Sequence, residues 1–177
     1  MQSYDVNVET TVSPERLLAA ATDFSQRRPD LWPTITRSRY RVFSVGDHTA
    51  ETEEGTSPVR HRYRYTWTDD GVVRATTTDA TVMATGTIWE LRVRPREGGG
   101  SNIHIHVEMA FKGVFKAIGP LAFRLNGGGA ETYRKWFMKT VAVLGGRGSG
   151  RFVGLSDQPR AMVAWPISIK WPSGSWT

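Results

Sequence analysis

Between residues 40 and 111 strand-like segments follow one another, punctuated by turn signals. Tyr40–Val45 and His48–Glu54 flank Gly46-Asp47, and Arg60–Thr68 and Val72–Thr78 flank Asp69-Asp70-Gly71. Thr87–Arg94 and Asn102–Phe111 flank the run Gly98-Gly99-Gly100. Strands joined by connections this short return antiparallel, so consecutive hairpins predict a meander. An earlier strand precedes it: Tyr4, Val6, Val8 and Val12 point one way, and Asp5, Asn7, Glu9 and Thr11 the other. The chain thus reads as about seven strands of one antiparallel sheet.

Helical signals lie on either side of the meander. Ser13-Pro14 marks a helix start, with Ser13 as N-cap, Pro14 at the first helical position and Leu17, Leu18 and Ala21 as the buried stripe. A second short helix is expected between Phe24 and Trp32, limited by Pro29 and Pro33. After Phe111 the spacing changes to three and four: Tyr133, Phe137, Val141 and Leu144 share one face of a helix over 130–144, and Gly145-Gly146 stops it. Residues 114–126 are also helix-like, but Pro120 and Gly127-Gly128-Gly129 break any continuous run. Strands and helices in this order make an α+β chain, and 177 residues suit a single domain with a substantial core. The Gly-, Pro- and Trp-rich segment 147–177 stands outside that domain, with Met162–Ile169 as a candidate edge strand.

Composition narrows the functional classes. Cys is absent, which excludes disulfides, thiolate metal sites and a Cys nucleophile. No apolar run reaches the roughly 18 residues of a membrane-spanning helix, and no signal peptide is visible after Met1, so a cytoplasmic location is expected. The net charge of +6 comes mainly from Arg, and many of these recur in alternate positions: 37, 39 and 41; 60, 62 and 64; 92, 94 and 96. Residues two apart share a strand face, so each set projects from one side. One reading is an electropositive face for nucleic acid, anionic lipid or an acidic partner. The other is a solvated outer face with Glu90, Glu108, Asp5 and Glu9 as cross-strand partners, and this is preferred because most charge runs are solvated. Nucleic acid is not expected as a partner.

The segment Val12-Ser13-Pro14-Glu15-Arg16-Leu17-Leu18-Ala19-Ala20-Ala21-Thr22-Asp23-Phe24-Ser25, followed by Trp32-Pro33, resembles the START-like helix-grip superfamily (SRPBCC), and in particular its bacterial polyketide cyclase/dehydrase-type members. The resemblance covers roughly residues 3–144, within a domain placed at 1–146. It implies a helix-grip fold, in which a seven-stranded curved antiparallel sheet surrounds a long C-terminal helix and two short helices follow strand 1. It also implies an internal cavity for a lipid-, quinone- or polyketide-like molecule. Three features depart from the pattern: the glycine triplet at 127–129 interrupts the region of the grip helix, the meander lacks a recognisable catalytic signature, and the chain extends beyond the usual end after Arg147.

Parity then nominates a cavity wall. In Arg60-His61-Arg62-Tyr63-Arg64-Tyr65-Thr66-Trp67 the odd positions are aromatic, so with the Arg side solvated His61, Tyr63, Tyr65 and Trp67 face the long helix. The same rule places Trp89, Leu91 and Val93, and Ile105, Val107, Met109 and their neighbours, inward. Trp32 and Tyr40 are expected to close one end, with Tyr133 and Phe137 covering from the helix. His61 with Tyr63 or Tyr65 is the candidate catalytic set, because an imidazole in an apolar wall can exchange protons near neutral pH. The plain alternative is packed aromatic core. Parity leaves open which way Glu51, Glu53 and Glu54 face.

His104-Ile105-His106 with Glu108 invites a zinc reading, but it lies on the expected outer face without a fourth ligand. The glycine runs lack the context of a phosphate loop or dinucleotide motif, and no serine elbow occurs, so no cofactor is expected. The leading function is therefore binding of a hydrophobic or aromatic small molecule, as carrier or sensor. The alternatives are a cyclase, aromatase or dehydratase using the same cavity, and a protein that docks its Arg face on an anionic surface. A homodimer through an exposed sheet edge is also compatible with the pattern.

Overall fold

The computed structural model describes residues 1–56, 59–125 and 127–146. Strand β1 (Gln2–Thr10) leads to helices α1 (Pro14–Ala21) and α2 (Arg28–Leu31) and a 3₁₀ turn at Arg37–Arg39. The meander comprises β2 (Arg41–Val45), β3 (Thr49–Thr56), β4 (Val59–Trp67), β5 (Val72–Ala80), β6 (Ile88–Pro95) and β7 (Ser101–Met109). Helices α3 (Phe115–Leu125) and α4 (Ala130–Gly146) complete it.

All neighbouring strands are antiparallel, in the order β1-β7-β6-β5-β4-β3-β2. β1 therefore pairs with the last strand of the meander, and β1 and β2 form the two edges. The expected α+β helix-grip architecture is what the chain adopts: seven antiparallel strands, with the long α4 packed on their inner face. Val6 and Val8 of β1, Leu91 and Val93 of β6, and Ile103 and Ile105 of β7 meet Phe137, Val141 and Leu144 of α4 in the main core. The end of α4 is tied to α1 by Arg16, whose Nη2 donates to the Leu144 carbonyl at 2.6 Å.

Several local expectations need correction. Arg37 and Arg39 do not share a strand face with Arg41, because 37–39 form a 3₁₀ turn before β2 begins. The second short helix spans only Arg28–Leu31, since two prolines in five positions confine it. Ser13 occupies the N-cap position with extended backbone, yet its side chain makes no capping bond. β5 runs on to Ala80, beyond the expected end at Thr78, and it carries a bulge: Tyr63 pairs with Thr77 and Arg62 with Asp79, so Thr78 is an extra residue that donates to the Arg62 carbonyl. The glycine run at 127–129 separates α3 from α4 rather than interrupting the long helix, with Gly127 at φ 76° and Gly129 at φ 150°. Pro120 lies inside α3. The proposed edge strand at 162–169 falls outside the described residues.

On the outer sheet face five arginines have carboxylate partners. Arg60 meets Glu53 and Asp79, Arg62 and Arg64 share Glu51, and Arg74 and Arg92 both bind Glu90, which they cover almost completely. Among the described residues no helix is long and apolar enough to cross a membrane.

Candidate ligand cavity

The inner face of the sheet and α4 do not touch everywhere. Between them lies a cavity of about 580 Å³, bounded on the sheet side by β3 to β7 and on the other by α2, the following 33–36 segment and α4. Alternation explains its sheet wall, because each strand contributes every second residue. β4 supplies His61, Tyr63 and Tyr65; β5 and β6 supply Ala75 and Trp89; β7 supplies Ile105, Val107 and Met109. Trp32 comes from the end of α2, and Tyr133, Trp136 and Phe137 come from α4.

Ten of the residues singled out by parity thus lie along the wall: Trp32, His61, Tyr63, Tyr65, Trp89, Ile105, Val107, Met109, Tyr133 and Phe137. Three do not. Leu91 is fully buried in the packed core. Trp67 turns away to stack on Phe24, with ring centroids 5.5 Å apart. Tyr40 is buried beside α2 and donates its hydroxyl to the Phe24 carbonyl at 2.9 Å, which anchors the chain but faces no cavity.

One wall is polar, and its two charged members were not selected from the sequence. Glu54 shares the inward parity of Ala50 and Thr52, whereas Glu51 and Glu53 face outward to arginines. The Arg28 guanidinium enters from α2 and donates through Nε to Glu54 Oε1 at 2.9 Å. The Thr52 hydroxyl donates to the same oxygen at 3.1 Å, and the Tyr65 hydroxyl donates to Oε2 at 3.1 Å. Arg28 Nη1 also donates to the Ala21 and Asp23 carbonyls, at 3.0 and 3.3 Å, where α1 ends. A cation at a helix C-terminus is favoured by the exposed carbonyls and the macrodipole. Its Cζ lies 4.5 Å from the Phe24 ring centroid and 4.8 Å from that of Tyr65, so aromatic faces support the charge as well.

Electrostatics follow from this arrangement. Burial opposes the charge on Arg28, but the Glu54 carboxylate and Tyr65 outweigh it and hold its pKa above the ordinary value. Burial and the neighbouring Glu54 push the Tyr65 hydroxyl pKa up, and burial does the same for Tyr63 and Tyr133. The tyrosines are therefore neutral hydrogen-bonding groups at neutral pH. Burial lowers the His61 pKa to about 4, so its ring is neutral too. It stacks on Tyr63 with centroids 5.6 Å apart and planes at 7°. Tyr65 stands edge-on to Tyr63 at 5.8 Å, with its hydroxyl committed to Glu54. Tyr133 directs its hydroxyl to Met109 Sδ at 3.8 Å.

The histidine pair at 104 and 106 lies outside the cavity. Both rings hydrogen-bond Asp5 Oδ1, at 3.0 and 2.8 Å, and His106 also reaches Glu108 at 3.2 Å. Among the described residues, no group of three or more His, Asp or Glu side chains is arranged to hold a metal ion.

No protein-family model and no curated protein matches the chain. Solved structures do. Norcoclaurine synthase from Thalictrum flavum, in complex with dopamine and hydroxybenzaldehyde, is similar at TM-score 0.61 and 12% identity, covering 85% of this chain and 89% of its own. A START superfamily protein from Mycobacterium smegmatis is similar at TM-score 0.59 and 14% identity, covering 82% and 95%. The Zhui aromatase/cyclase from Streptomyces sp. R1128 is similar at TM-score 0.57 and 11% identity, covering 82% and 92%. At these identities the likeness is one of fold.

Proposed function

We propose that this chain, which has the START-like helix-grip fold, holds a hydrophobic or aromatic small molecule in the cavity between its sheet and α4, as a carrier or sensor. The observation that carries this reading is the cavity itself. Its volume of about 580 Å³ falls within the range typical of small-molecule sites, and its walls are mainly apolar, with polar side chains at defined places. Trp32, Trp89 and Phe137 offer ring surfaces, with Trp32 edge-on to Trp89 at 5.9 Å and tilted to Phe137 at 6.1 Å. Arg28 and Glu54 neutralise each other, so the polar wall asks for a hydrogen-bonding ligand rather than an ion. A lipid-, quinone- or polyketide-like molecule with a ring or acyl body and one or two oxygens fits that combination.

Native mass spectrometry of the purified protein, followed by organic extraction, tests the reading. One copurifying apolar compound per chain supports it. A ligand-free mass together with no uptake of fluorescent aromatic or acyl probes would refute it.

A second reading is supported by the neutral His61 stacked on Tyr63 within the cavity: a cyclase- or dehydratase-type enzyme that folds a flexible chain and moves a proton through these residues. A proton acceptor works best with a pKa near the operating pH, and His61 lies well below it. Binding is therefore the leading reading. The outer arginines favour a solvated face over an anionic dock, since Glu51, Glu53, Asp79 and Glu90 already pair with them.

A further inference from the structure

Helix α3 is apolar on both faces. Its inner face is seated by Gly119 and Phe123, both buried; Phe123 belongs to a cluster with Met83, Met109 and Phe111. The backbone approaches so closely that a Cβ at Gly119 would lie 2.5 Å from the Phe111 ring. The outer face carries Ile118, Leu121 and Leu125, exposed by 51%, 61% and 76%, and Val114 in the turn just before the helix is exposed by 76%. Within the helix, spacings of three and four return to the same side, so Ile118, Leu121 and Leu125 form one narrow stripe, with Val114 at its N-terminal end. The four are half of the eight large apolar residues exposed among the described residues, and a stripe of this kind marks a surface that another phase covers.

Charge identifies what covers it. Lys112, Lys116 and Arg124 lie in the same segment, all exposed, and no Asp or Glu occurs between Glu108 and Glu131. Lys112 lies 3.6 Å from Asp79 on β5, an exposed pair. In a twofold contact with a second copy, the cations of one stripe would meet those of the other. The chain's own segment 147–177 is also cationic, with Arg147, Arg151, Arg160 and Lys170 against Asp157. Neither complements the stripe, whereas an anionic lipid surface does: it accepts apolar side chains below its headgroups and attracts Lys and Arg at their level.

We propose that α3 and the turn before it dock this protein on anionic lipid bilayers, inserting Val114, Ile118, Leu121 and Leu125 below the headgroups. Met83 and Met109, which pack in the cluster with Phe123, also line the cavity, so docking brings that end of the cavity to the lipid surface. The docking itself does not depend on which molecule the cavity holds.

The chain has no Cys, so Leu121→Cys can carry a single polarity-sensitive fluorophore on the full-length protein, with Thr66→Cys on the exposed sheet face as the control. Mixed with phosphatidylcholine vesicles containing phosphatidylserine, the label at 121 should brighten and shift to the blue, less so in high salt, while the label at 66 stays unchanged. Adding Ile118→Glu and Leu125→Glu should weaken vesicle affinity by about tenfold or more without lowering the melting temperature, because both sites are exposed. A silent label at 121 on anionic vesicles would overturn the proposal. So would a vesicle-independent shift that grows with protein concentration, which would assign the stripe to a second copy. An equal response on phosphatidylcholine alone would remove the anionic surface.

Discussion

Arg28 and Glu54 lie 26 residues apart in sequence and meet in a 2.9 Å ion pair with side chains only 3% and 9% exposed. The pair locks α2 to β3, closes one end of the cavity and gives an otherwise apolar wall its polar pole. Four further groups satisfy it: the Thr52 and Tyr65 hydroxyls on the carboxylate, and the Ala21 and Asp23 carbonyls on the guanidinium.

Breaking one side of this pair leaves the other charge buried. Glu54→Ala should therefore lower stability by about 3–5 kcal/mol, as for other buried pairs that lose one partner. The double replacement Arg28→Met with Glu54→Leu should lose much less, since neither charge then remains. Urea denaturation of the three proteins measures both effects. A loss below about 1 kcal/mol for Glu54→Ala would mean that the charges are solvated.

His61 gives stability a pH dependence of defined sign. Its folded pKa of about 4 lies below the ordinary 6.5, so between these values the unfolded chain binds the extra proton. The contribution of the neutral buried ring is fully present above pH 6.5 and is lost as pH falls towards 4, by up to about 3 kcal/mol. His61→Phe should flatten that part of the stability profile. The His61 ring proton, assigned by NMR from the variant, should titrate near pH 4. On the outer face, hydrogen bonds to Asp5 and Glu108 raise the pKa of His106, so its ring should titrate above 6.5.

Filling the cavity should remove binding without unfolding the protein. Ala75 is buried on β5 and lines the cavity, so the larger side chain of Ala75→Leu should take up cavity volume. Uptake of an anilinonaphthalene sulfonate probe should weaken by about tenfold or more, which corresponds to about 1.4 kcal/mol. The melting temperature should change little. Unchanged probe affinity would place the probe elsewhere.

Close packing under α3 is a separate liability. Gly119→Ala ordinarily favours a helix by about 1 kcal/mol. Here the added methyl meets Phe111, itself buried, and overpacking of that kind costs about 1–3 kcal/mol. The melting temperature should therefore fall, and a rise would show that Phe111 can move aside.

The sequence by itself determined the order of elements, the hairpin meander and the grip helix. It also determined most of the cavity wall, because alternation in twos and in threes and fours is a local property of the backbone. His61, Tyr63 and Tyr65 had to share a face once β4 formed, and Tyr133 and Phe137 had to share one on α4. Tertiary structure decided which inward residues meet empty space. Trp89 and Leu91 have the same parity, yet Trp89 borders the cavity while Leu91 is fully packed, since the gap between sheet and helix is not uniform. Trp67 and Tyr40 were taken by neighbours that no local pattern reveals. Glu54 could have been found from its parity with Ala50 and Thr52, but a buried carboxylate is credible only with a partner, and that partner sits on a distant short helix. Arg28 carries no local signal, because its role arises where the end of α1, the inner face of β3 and the aromatic rings of Phe24 and Tyr65 converge.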